Sequence, residues 1–222
     1  MKNLFELKNA RRVLVEGNLL EHNWPHAQNG FAILFTPRNQ EGRAPWSVVE
    51  DVTFRNNLLL NVAAGFNILG RDDNQESRQT RRISIHHNVL SDVGGKWGGN
   101  GRLFQLLDGT AGVTITNNTA ERTTGGVVFG GDHDGHTGFV FQHNVMPDNG
   151  AGFVGSGTGV GRATIDRYFP GAVIKGNVFV GGKPEQYPLD NNFASGDRQA
   201  RRAGADIAAL MDAVQEVSSW RH

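Results

Sequence analysis

Short runs of alternating apolar and polar residues recur along the chain, each closed by an asparagine and followed by a second apolar run. They are Val13-Leu-Val-Glu-Gly-Asn18, Val52-Thr-Phe-Arg-Asn-Asn57, Ile83-Ser-Ile-His-His-Asn88, Val113-Thr-Ile-Thr-Asn-Asn118, Val140-Phe-Gln-His-Asn144 and Val173-Ile-Lys-Gly-Asn177. Successive asparagines are 39, 31, 30, 26 and 33 residues apart. Alternation with period two marks a strand with one buried face, which puts Val13 and Val15, Ile83 and Ile85, and Val113 and Ile115 inside. A repeat near 30 residues long and made of short strands predicts a solenoid of about six coils, three strands to a coil. The asparagine is expected to take the left-handed backbone of a sharp bend. Coils stacked about 4.8 Å apart would let its amide bond to the same amide in the next coil. A β-sandwich has no need for asparagine at one register six times.

A further strand is expected in each coil after the asparagine turn, at 31–35, 66–69, 103–107, 127–129 and 152–154. With Phe66, Ile68, Phe104 and Leu106 pointing inward, Asn67 and Gln105 face outward on neighbouring coils. The turns after these strands, 36–46, 70–80, 108–111, 130–138 and 155–171, carry the variation in length. In a solenoid such insertions gather on one face, commonly the binding face. Residues 1–182 thus form the solenoid, 183–204 an irregular exit and 205–218 a helix. Ile207, Leu210, Met211, Val214 and Val217 make an apolar stripe on that helix, which predicts a lid over the last coil. The first coil has no such lid in the sequence, and its open edge is expected to allow self-association.

Composition agrees with a chain of many tight turns: 30 glycines and 20 asparagines among 222 residues, both types tolerant of a left-handed backbone. The absence of cysteine excludes disulfides, thiolate metal sites and cysteine nucleophiles. The 22 basic and 22 acidic residues balance, so total charge gives no attraction to nucleic acid or to an anionic membrane. No apolar run is long enough to span a bilayer. Met1-Lys2-Asn3 leads directly into Leu4-Phe-Glu-Leu, so no signal peptide is expected in this chain.

From the asparagine register, residues 10–182 resemble the right-handed parallel β-helix proteins of pectate-lyase-like architecture. Three strings, Leu4–Ala10, Trp97–Gly109 and Gly161–Gly171, are similar to strings in uncharacterised bacterial β-helix repeat proteins. Those proteins usually extend further at the N-terminus, so this chain resembles their C-terminal portion and lacks an upstream cap. The resemblance implies an all-β fold, a secreted or periplasmic location, and a polysaccharide as partner, with no nucleic acid or membrane.

The chemistry-bearing residues are unevenly placed. Asp72 and Asp73, Asp108, and Asp132 and Asp134 each follow the same strand of successive coils, so stacking is expected to gather them in a column. Asp72, Asp108 and Asp132 then offer hard oxygen ligands for calcium. The resemblance implies such an ion holding a uronate carboxylate. Crowded carboxylates also raise one another's pKa, which suits Asp72, Asp73 and Asp108 to acid–base cleavage of a glycan. The plain alternative is that aspartate begins turns. His133 and His136 share the loop Asp132-His-Asp-Gly-His136, and two histidines without a third are weak grounds for a transition metal. His136 is instead expected to exchange protons near neutral pH, whereas His87 and His143 belong to the scaffold.

β-Elimination on an acidic glycan needs a base, a cation for the enolate and an acid for the leaving oxygen. Arg102, His136, Tyr168 and the aspartate column are the candidates for these roles. Arg71, Arg162, Arg167 and Trp97 join Asn67 and Gln105 as candidate substrate contacts. The resemblance implies that the leading function is that of a polysaccharide lyase acting on an acidic glycan. The alternatives are a glycoside hydrolase and a non-catalytic glycan-binding or structural solenoid. The run Gly155-Ser-Gly-Thr-Gly-Val-Gly161 lacks the Lys-Ser/Thr of a phosphate loop and opens no expected helix, so it is read as glycine turns.

Overall fold

The computed structural model describes residues 3–188, 204–206 and 210. Its first coil comprises β1 (Phe5–Leu7), β2 (Ala10–Glu16) and β3 (Leu19–Glu21); the second β4 (Phe31–Phe35), β5 (Val49–Arg55) and β6 (Leu58–Val62). The third has β7 (Ala64–Leu69), β8 (Arg81–His86) and β9 (Val89–Val93), and the fourth β10 (Phe104–Leu107), β11 (Ala111–Thr116) and β12 (Thr119–Thr123). The fifth has β13 (Val128–Gly131), β14 (Val140–Gln142) and β15 (Val145–Pro147), and the sixth β16 (Phe153–Gly155), β17 (Val173–Lys175) and β18 (Val178–Val180). Helix α1 (Arg162–Tyr168) lies between β16 and β17.

Every third strand pairs in parallel. The first sheet runs β1-β4-β7-β10-β13-β16, the second β2-β5-β8-β11-β14-β17 and the third β3-β6-β9-β12-β15-β18. The chain is an all-β parallel β-helix of six coils. Alternation is obeyed where the core sits: Ile33, Phe66, Phe104, Val128 and Phe153 are in register on the inner face of the first sheet. Val15, Phe54, Ile85, Ile115, Phe141 and Ile174 match them on the second. Phe66 and Phe104 stack at 5.3 Å, and Phe54 meets Phe66 edge-on at 5.1 Å. Each fully buried side chain of this kind contributes roughly 1.5–3 kcal/mol by leaving water.

The asparagine ladder is present in all six coils. Each Nδ2 donates to the Oδ1 of the next coil's asparagine, over 2.9–3.2 Å from Asn18 through Asn57, Asn88, Asn118 and Asn144 to Asn177. The bend, however, is not at these residues. The left-handed residue is the one before each: Gly17, Asn56, His87, Asn117, His143 and Gly176, with φ between 53° and 68°. The asparagine stays out of that region, with its amide turned into the stack, where Asn18, Asn57, Asn88, Asn118 and Asn177 also donate to the carbonyl two residues before them. Two further left-handed columns accompany the first. One lies six residues before the asparagine, at Arg12, Asp51, Arg82, Gly112, Gly138 and Gly171. The other lies four after it, at His22, Asn61, Asp92, Arg122 and Gly181, shifted by one to Asn149 in the fifth coil.

The expected helix at 205–218 lies outside the described residues, apart from Ala205, Asp206 and Leu210. Over the last coil the structure places Tyr187, which stacks on Phe179 at 3.9 Å and donates its hydroxyl to Asp148. Gly204 and Ala205 lie against the fourth and fifth coils, donating to the His143 carbonyl and to Thr119 Oγ1. Helix α1 was not expected within 155–171. It fits because the inner column Phe35–Ile68–Leu106–Gly130–Gly155 loses its side chains at the fifth and sixth coils. A Cβ on Gly130 would come within 2.8 Å of Phe169, and one on Gly155 within 2.7 Å of Tyr168.

Candidate functional site

The outer face of the first sheet carries one cross-coil row, Glu6–Leu34–Asn67–Gln105–Phe129–Val154. Asn67 and Gln105 are neighbours in it as expected, and Gln105 Nε2 donates to Asn67 Oδ1 at 3.1 Å. Arg102 enters from the start of β10. Its Nη1 donates to Gln105 Oε1, and its guanidinium lies 3.5 Å above the centre of the Phe129 ring. Burial lowers its pKa, and among the described residues no carboxylate pairs with it. A half-open cleft of about 250 Å³ adjoins this row toward the first coil, lined by Lys8, Phe31, Leu34, Arg38, Asn67 and Gln105. Lys8 is paired there with Glu6 at 2.7 Å.

The carboxylates lie along the other edge of the sheet. Asp72 has a side chain only 3% exposed and accepts from Arg38 Nη1 at 2.7 Å. Burial alone would raise its pKa, but the N–H groups of Asn39 and Asn74 and the Arg38 guanidinium outweigh it and leave the carboxyl lowered. Asp73 also bonds Arg38, so the pair clamps one turn to the next. Asp108 receives His133 Nδ1 at 3.1 Å. That bond is the main cause of the raised His133 pKa. Asp132 is pushed up by desolvation and then by the charge of Asp108, against the pull of His133, with a smaller push from Asp73. Coil stacking therefore does bring carboxylates into electrostatic contact. It does not assemble the expected calcium triad of Asp72, Asp108 and Asp132: among the described residues no three His, Asp or Glu side chains are arranged to hold a metal ion. The reason is that Asp72 is already satisfied by Arg38 and two backbone N–H groups.

Comparison with protein-family models, curated proteins and solved structures finds no match to this chain. What the three parallel six-stranded sheets establish is a parallel β-solenoid arrangement.

Two expected catalytic residues lie inside rather than on the face. His136 is 0% exposed, accepts the Thr110 N–H on Nδ1 at 3.0 Å and stacks on Phe169 at 5.0 Å. Burial pushes its pKa down to about 4, so it stays neutral where exchange was expected. Tyr168 is buried with its hydroxyl donating to the Ser156 carbonyl at 2.7 Å. Arg167 reaches the His133 carbonyl and lies 5.3 Å from the Tyr168 ring centre, and Arg162 is exposed at the start of α1. Arg71 turns back on the Ser77 carbonyl of its own loop. Trp97 packs edge-on to His22 at 5.3 Å, at the corner between the third and first sheets. The sequence reading missed Arg38 and Phe129. Phe129 was open to detection, since placing Val128 inward turns it out.

Proposed function

We propose that the protein binds an acidic polysaccharide across the outer face of the first sheet, with Arg102 meeting a carboxylate of the sugar chain. The observation that carries this is a half-buried guanidinium with no carboxylate partner among the described residues, fixed over Phe129 and held by Gln105. A desolvated cation of this kind gains most from an anionic ligand, and its planar fork suits a carboxylate. The row of Asn67 and Gln105 supplies amides for sugar hydroxyls, and a face built from stacked coils suits a linear polymer. The resemblance to pectate-lyase-like proteins points the same way, on fold alone. Recognition is favoured over β-elimination because the groups holding Arg102, Gln105 and Phe129, take no proton.

Hydrolysis has its own support. Asp132, its pKa raised by burial and by the charge of Asp108, shares this turn column with a carboxylate that His133 bonds. The test is calorimetric titration with oligouronates of wild type and Arg102→Ala. Removing a charge-assisted contact is expected to weaken binding by about 10- to 100-fold. Equal affinity of the two proteins overturns the proposal. With the same oligouronates, a reducing-end assay positive for wild type and abolished by Asp132→Asn would add hydrolysis. An ultraviolet-absorbing unsaturated product would restore the lyase.

A further inference from the structure

A second opening lies on the flank where the turns leaving the first sheet meet β2. It is a groove of about 460 Å³ lined by Asn9, Ala10, Arg11, Trp46 and Arg78. Trp46 is 55% exposed, an unusual position for the largest apolar surface a side chain can offer. The three segments that line it are tied together by hydrogen bonds. Asn9 Oδ1 accepts from Val48 N at 3.2 Å, Ala10 N donates to the Val48 carbonyl at 2.8 Å, and Arg78 N donates to the Ser47 carbonyl at 3.0 Å.

Beneath the rim, buried Glu50 anchors a cluster of guanidinium groups: Arg11 at 2.8 Å, Arg81 at 2.5 Å and Arg82 at 3.0 Å. Arg82 also pairs with Asp51, which feels Arg12 as well. Arg78 has no ion pair among the described residues. The flank is thus rich in positive charge on a chain whose total charge is zero.

We propose that this groove is a separate subsite for an anionic sugar unit, with the Trp46 indole stacked on the apolar face of the ring and Arg78 and Arg11 holding its carboxylate or sulfate. An aromatic face beside pre-anchored guanidiniums is the chemistry such a ring presents in complement. Single-stranded nucleic acid shares the charge, but it is held by a succession of stacking aromatics, and this groove has one.

The test is a titration of the full chain, followed by tryptophan fluorescence and calorimetry, with an oligogalacturonate, a sulfated oligosaccharide and an oligothymidylate of equal charge. Wild type is compared with Trp46→Ala, Arg78→Ala and Arg102→Ala. Trp46→Ala and Arg78→Ala are each expected to weaken binding of one sugar by about tenfold. Arg102→Ala should keep the fluorescence change that depends on Trp46. Preference between the two sugars identifies carboxylate or sulfate as the group recognised. Unchanged affinity in both flank variants overturns the proposal, as does oligothymidylate binding as tightly as the better sugar. Loss in Arg102→Ala alone would uphold the first-sheet site and overturn this one.

Discussion

His136 places an ionisable ring where water does not reach it, between the Thr110 N–H and the face of Phe169. Its proton affinity is lowered mainly because a charged ring there would lose its hydration. In the unfolded chain the ring takes up its proton near pH 6.5, and in the folded chain only near pH 4. Between those values the unfolded state binds more protons, so stability falls as pH falls, by up to about 3 kcal/mol in total. Chemical denaturation across this range should show wild type losing stability more steeply than His136→Gln, which keeps an acceptor for Thr110. Parallel curves would mean that the ring titrates normally. Nothing in the local sequence Asp132-His-Asp-Gly-His136 distinguishes the exposed His133 from the buried His136. The difference is made by Phe169 and Thr110, one beyond α1 and the other a coil away.

At the scale of elements, the ladder turn is the unit that locks one coil to the next. Asn88 accepts from Asn57 N and Nδ2, and donates to Asn118 Oδ1 and to the carbonyls of Phe54 and His86. Asn88→Ala removes all of these and leaves the buried Asn57 N–H without its acceptor. A loss of roughly 3 kcal/mol or more is expected in urea unfolding; a loss below about 1 kcal/mol would mean that the amides are dispensable. The strands and this ladder were legible because alternation and asparagine recur at one register. The left-handed corners were not, since Arg12, Asp51 and Gly112 share a conformation but no side-chain chemistry. Helix α1 escaped notice for another reason: Arg162–Tyr168 makes fewer than two turns, and its place depends on room left by Gly130 and Gly155.

Across the whole molecule, the outer row of Asn67 and Gln105 was legible from strand parity alone. The fate of the aspartates was not, because their partners come from other coils: Arg38 reaches Asp72 over 34 residues of chain, and His133 reaches Asp108 over 25. Ion pairing of this kind converts part of an apparent catalytic column into loop clamps. It leaves Arg102 as the half-buried cation on that face whose charge is not matched among the described residues. The balanced total charge was equally uninformative about the arginine flank around Glu50, where like charges are gathered by folding.

The three left-handed columns have a consequence for how the chain tolerates change in length. From six residues before the ladder asparagine up to the asparagine itself, each coil is a fixed ruler whose corners coincide with those above and below, whereas the corner after it moves by one residue in the fifth coil. One extra residue inside the ruler, such as an alanine inserted after Ile85, moves a corner and breaks the registration of that coil with the coils on either side. Several glycines and serines inserted between Asn74 and Gln75 fall outside the ruler, in an exposed turn. Thermal melts followed by circular dichroism should show the long insert melting close to wild type and the single alanine unfolded or strongly weakened. The molecule would then serve as a rack with exchangeable loops along one edge, its spine closed to editing.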